Sequence, residues 1–126
     1  KVAKFLSKQK KVVKVCYPYK KNTPRYKLWK KYYSGATGLL SIVIKSKKKS
    51  SVLKFVNSLE LFGIGYSWGG FESLAILQDL KKQTEYTKGR HFFRFNNDEH
   101  IVRLHIGLED PKDLISDLKT SLRYIK

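Results

Sequence analysis

Methionine is absent from the 126 residues, cysteine occurs once, at Cys16, and residues 1–54 hold no Asp or Glu. Each absence excludes something. A lone cysteine cannot form an internal disulfide, and with no signal-like amino terminus the chain is expected in a reducing, cytoplasmic compartment. No apolar run approaches the roughly 20 residues that a membrane-spanning helix requires, so a membrane is not an expected partner. A chain that opens on Lys1 and lacks methionine throughout is expected to be a processed product or a piece of something longer. One Cys with His91, His100 and His105 gives no convincing metal-ligand spacing. The nucleophile elbow G-x-S-x-G is missing, and Gly63-x-Gly65 followed by Gly69-Gly70 has the wrong order for a dinucleotide or phosphate-loop fingerprint.

What is abundant is positive charge. The net charge is +17, and residues 1–54 carry seventeen Lys and Arg, while residues 55–126 balance ten bases against ten acids. Two readings fit this asymmetry. One is an anionic footprint for nucleic acid; the other is codon drift in an A/T-rich genome, which enriches Lys and Tyr on solvated faces. We favour the second, because the lysines are scattered between apolar positions and no recognised nucleic-acid motif accompanies them. A basic nucleic-acid-binding module and a non-catalytic interaction remnant stand as the alternatives.

The hydrophobic content of 41% suffices for one domain with a core. Val2, Phe5 and Leu6 share a helical face near the start, and Val12 to Cys16 reads as a short strand. Residues 17–33 contain Pro18, Asn22 and Pro24 and read as loop, with one helical turn near Leu28 and Trp29. Leu39 to Lys45 is a β-branched, apolar strand, followed by an amphipathic helix over Ser50 to Leu59. Leu61 to Leu74 mixes glycines with aromatics and suggests a strand, a tight turn and a re-entry into ordered structure, where backbone comes close to something. His91 to Phe95 is a candidate edge strand. Ile101 to Gly107 alternates: Val102, Leu104 and Ile106 face one way, and Ile101, Arg103 and His105 the other. Asp110 and Pro111 open a final helix to Ile125, with Leu114, Leu118, Leu122 and Ile125 as its buried stripe. The expected class is α+β, an open, mostly antiparallel sheet covered by helices on one face.

Arg103 stands out on this pattern alone. Its strand buries the opposite face, so its guanidinium points out of the core, where a rigid fork can grip a carboxylate through two parallel hydrogen bonds. On the residues alone, an ordinary salt bridge to Glu72, Glu109 or another acid is the favoured reading. His105 shares that face and reads as a packed or hydrogen-bonded structural group.

Three ordered stretches carry a resemblance. Tyr32 to Leu40 (YYSGATGLL), Leu61 to Leu74 (LFGIGYSWGGFESL) and Val102 to Asp110 (VRLHIGLED) are similar to the carboxy-terminal domain of the cystathionine β-lyase family, which covers essentially the whole chain. Related transsulfuration enzymes usually carry Leu where Trp68 stands, which points toward the β-lyase branch. The resemblance implies the carboxy-terminal domain of a fold-type I pyridoxal-phosphate enzyme, acting on cystathionine with release of homocysteine, pyruvate and ammonia. It implies that Arg103 binds the substrate α-carboxylate, that Ser67 and Trp68 line the pocket beside the cofactor, and that Tyr66 adjoins them or merely packs. It also implies a homotetramer, an amino-acid thioether substrate and a separate large domain that supplies the cofactor lysine and phosphate contacts. Nothing in these residues matches those large-domain motifs, so residues 1–126 are expected to be one substrate-binding domain, inactive alone.

Overall fold

The computed structural model describes residues 1–21, 26–79 and 96–126. The edge strand expected at His91 to Phe95 lies outside the described residues. Among the described residues five strands form one sheet: β1 (Val12–Cys16), β2 (Leu39–Lys45), β3 (Gly63–Ile64), β4 (Leu74–Gln78) and β5 (Glu99–His105), in the order β1-β2-β5-β4-β3. Neighbours pair antiparallel except β3 with β4, which run parallel. The last strand in the chain is therefore the central one.

The inward face explains the choice of residues. Leu40, Ile42 and Ile44 of β2 lie beside Leu104 and Val102 of β5 and Ala75 of β4, and all six are buried. Against them pack α1 (Val2–Leu6) through Val2 and Leu6, α3 (Lys49–Asn57) through Val52, Phe55 and Val56, and α4 (Pro111–Ser121) through Leu114 and Leu118. Burying side chains of this size stabilises by about 1.5–3 kcal/mol each. The helix α4 begins where its chemistry dictates: the Asp110 carboxylate accepts the Lys112 amide hydrogen bond at 2.7 Å and Pro111 occupies the first turn. It passes into a 3₁₀ turn at Leu122–Tyr124, so the expected helix ends four residues early although Ile125 is still buried.

Two elements differ from the sequence expectation. The helical turn near Trp29 is a full helix, α2 (Tyr26–Tyr32), whose Trp29 stacks on Tyr26 and meets the edge of Tyr19. Strand β4 was not foreseen, because Leu74, Ala75 and Leu77 are better helix formers than strand formers and only pairing with β5 and β3 makes them extended. Among the described residues no helix is long and apolar enough to cross a membrane.

Candidate functional site

Directly opposed residues of antiparallel strands share a sheet face. Cys16, Ser41, Arg103 and Ile76 are successive cross-strand partners, so they form one row on the face away from α3 and α4. Arg103 occupies the centre of that row. Its position is fixed by the alternation that buries Val102 and Leu104.

The segment between β3 and β4 arches over the row. Ser67 Oγ donates to the Gly69 carbonyl at 2.6 Å and accepts the Gly69 amide at 3.2 Å, which ties the turn locally. Arg103 Nη2 donates to the Ser67 carbonyl at 2.9 Å. The guanidinium carbon lies 5.3 Å from the Trp68 ring centre and 5.9 Å from that of Tyr66. Cation–π contacts in exposed settings contribute about 0.5–1 kcal/mol. The structure thus brings Arg103, Tyr66, Ser67 and Trp68 together, although Ser67 meets the arginine through its carbonyl and turns its hydroxyl away.

Exposure separates the competing readings of these residues. Trp68 is 78% exposed and Tyr66 63%, so neither ring is packed in the core. Among the described residues Arg103 makes no ion pair, with Glu72, Glu109 or any other acid. Its Nε is buried and has no hydrogen-bond partner. An orphaned charged donor costs more than a neutral one, about 1–3 kcal/mol or above.

Beyond Arg103, the chain continues to fasten the same loop. His105, 4% exposed, places Nε2 3.3 Å from the Gly70 carbonyl, so that nitrogen carries the hydrogen, and its Nδ1 is buried without a partner. Leu108 N–H donates to the Phe71 carbonyl, and Gly107 N–H to Ser73 Oγ, both at 2.9 Å. A side chain at Gly107 would collide with the Phe71 carbonyl, so glycine is what lets the loop come this close. The Glu109 carboxylate takes both donors of Ser73, the amide at 2.9 Å and the hydroxyl at 2.8 Å. Burial pushes the Glu109 carboxyl up, but these hydrogen bonds, its own backbone amide and nearby His105 outweigh it and leave the carboxyl below its ordinary value. The sequence reading missed Ser73 and gave Glu109 only as a candidate ion-pair partner of Arg103. The 36-residue separation of Ser73 and Glu109 leaves no local pattern to find.

An aromatic pocket of about 610 Å³ adjoins the other end of the row. Cys16 and Ser41 line it together with Tyr17, Leu28, Trp29 and Tyr32. Burial, and then the neighbouring Tyr19, raise the Tyr17 phenol above its ordinary value, and its hydroxyl donates to the Thr37 carbonyl at 3.1 Å. Among the described residues no group of three or more His, Cys, Asp or Glu is placed to hold a metal ion.

A family model for Cys/Met metabolism PLP-dependent enzymes matches residues 1–123. The chain belongs to this family. Its Cys/Met-metabolism relatives include a cystathionine beta-lyase of Bordetella avium, 40% identical over 121 residues, which are 96% of this chain and 29% of that protein. An L-alanine/L-glutamate racemase of Wolbachia pipientis is 38% identical over 122 residues, again 96% of this chain and 29% of the relative. Among solved structures, a Campylobacter jejuni protein described as an O-acetylhomoserine (thiol)-lyase superposes with a TM-score of 0.72 at 29% identity, over 96% of this chain and 25% of its own. That protein carries an N'-pyridoxyl-lysine-5'-monophosphate group. The chain therefore spans under a third of the length of these relatives, and the cofactor of its family is pyridoxal phosphate. The mixed sheet with helices on one face is the architecture of the carboxy-terminal domain of fold-type I enzymes of this kind.

Proposed function

We propose that this chain is the substrate-binding domain of a pyridoxal-phosphate-dependent carbon–sulfur lyase, and that Arg103 grips the α-carboxylate of cystathionine or a similar amino-acid thioether. The observation that carries this reading is the guanidinium itself: rigidly mounted mid-strand, flanked by two exposed rings, free of any Glu72 or Glu109 pairing, and with Nε unsatisfied. The donor set fits a carboxylate oxygen. One Nη2 hydrogen holds the Ser67 carbonyl, and the remaining fork donors are the natural partners of an anion. Tyr66 and Trp68 flank that pair and add cation–π attraction to the guanidinium.

A bound pyridoxal phosphate supplies the electron sink that stabilises negative charge at the substrate Cα. What this chain contributes is orientation. Fixing the carboxylate sets which bond at Cα stands perpendicular to the cofactor ring, and so decides that the α-proton is the one lost. The cofactor's own lysine and phosphate contacts are assigned to the portion of the relatives that the chain does not span. The exposed Tyr66, Trp68, Phe71 and Leu108 gather on the loop and strand end around Arg103, and they suit a surface that this portion covers. A cytoplasmic homotetramer is part of the same proposal.

The Wolbachia racemase favours a second reading, in which the same grip serves α-proton removal and return without carbon–sulfur cleavage. One experiment separates them. The chain is fused behind the unmatched amino-terminal portion of the Bordetella lyase, and the loaded fusion is given L-cystathionine or L-alanine. The lyase reading expects homocysteine and pyruvate, the racemase reading expects D-alanine, and neither product overturns both.

A further inference from the structure

We infer that Glu109 is a positioning residue for the carboxylate grip: by holding Ser73 it fixes the loop 66–72 so that the Ser67 carbonyl and both aromatic rings reach Arg103. This rests on the reading of Arg103 as the grip.

The loop is fastened to residues 103–109 at four places: Ser67 to Arg103, Gly70 to His105, Phe71 to Leu108, and Ser73 to Gly107 and Glu109. These ties are unequal. Those at Gly70 and Phe71 are single hydrogen bonds to backbone carbonyls, whereas Glu109 accepts two charge-assisted hydrogen bonds from a residue that is 1% exposed. Ser73 is also the hinge of the arrangement. Its carbonyl accepts the Gly63 amide where β3 begins, its hydroxyl accepts the Gly107 amide, and the next residue opens β4. Without the Glu109 carboxylate, the buried Ser73 N–H and O–H both lose their acceptor, and a buried orphan donor is costly enough to pull the backbone toward water. Ser73 cannot then stay where it is, and the stretch from Tyr66 to Glu72, mostly exposed and with two glycines of its own, is left with the single bonds at Ser67, Gly70 and Phe71. The guanidinium keeps its place on β5 but loses the carbonyl and the rings that define its open side.

The test compares the full chain with Glu109→Ala and Glu109→Gln, all carrying Trp29→Phe so that Trp68 is the only indole. Two readouts are taken: amide hydrogen exchange along the chain, and the change of Trp68 emission on titration with L-cystathionine. Glu109→Ala is expected to speed exchange at residues 66–73 by about tenfold or more while β2 and the Ile101–Leu104 part of β5 exchange as before, and to weaken cystathionine binding by about tenfold or more. Glu109→Gln keeps an oxygen for the Ser73 amide and is expected to recover part of both. Unchanged exchange at 66–73, or exchange rising equally through β2 and β5, overturns the inference, because the residue would then be inert or a general structural support. Looser exchange with undiminished binding overturns it as well. If the unaltered chain binds no cystathionine and Arg103→Ala changes nothing, the grip reading fails on its own, and the exchange arm still decides whether Glu109 sets the loop.

Discussion

Glu109 holds its charge because two donors of Ser73 point at it, and that preference has a thermodynamic consequence. A carboxyl whose folded-state pKa lies below its ordinary 4.5 stabilises the fold fully above that value, and the contribution is lost as pH falls through the depressed folded value. The expected outcome is that Glu109→Gln flattens the acid limb of the stability curve below about pH 4.5 and shifts it little near neutrality beyond a constant offset, read from urea midpoints across pH. An acid limb of unchanged steepness would remove Glu109 from the account. The same residue shows what a sequence hides. Arg103 announces itself by standing among alternating apolar residues, but Ser73 and Glu109 meet across 36 positions and Ser67 acts through a carbonyl that any residue would carry.

At the scale of elements, β5 and α4 position the site, and they are the two elements whose patterns were plainest. Strict alternation over Ile101–Ile106 and the Asp110-Pro111 start each have a local cause, so the expected strand and helix start agree with the fold. Strand β4 had no such cause and appears only through its partners. The dependence of the site on α4 can be measured. Leu118 is fully buried under the sheet, and Leu118→Ala is expected to cost about 2–5 kcal/mol in denaturant unfolding. Asp117 on the same helix accepts the amides of Glu60 and Leu61, at 3.1 Å and 2.9 Å, just before β3. Helix α4 thus anchors the segment leading into the site while Glu109, two residues before its start, anchors the segment leading out. Asp117→Ala is expected to cost about 1–3 kcal/mol, less than the core truncation, by the same assay. A loss below that range would show that water replaces the carboxylate freely.

The whole molecule has two faces with different tasks. One is sealed by α1, α3 and α4; the other presents Arg103, the aromatic loop and the pocket beside Trp29. That division follows from the sheet register, in which each residue of β5 alternates between core and open face. The chain spans under a third of the length of its relatives, and this open face fits the proposal that it forms one part of a larger site. The fold class was readable from periodicity and capping; the family came from three motif stretches and is borne out by the match over residues 1–123.

The central claim is that Arg103 binds the substrate carboxylate. It is tested most directly by the steady-state kinetics of the Bordetella fusion with and without Arg103→Ala, together with the cofactor absorbance of both proteins. The account predicts a KM for cystathionine raised by about a hundredfold or more, as expected for losing a bidentate charged pair of roughly 3 kcal/mol, with cofactor content unchanged. An unchanged KM would contradict it.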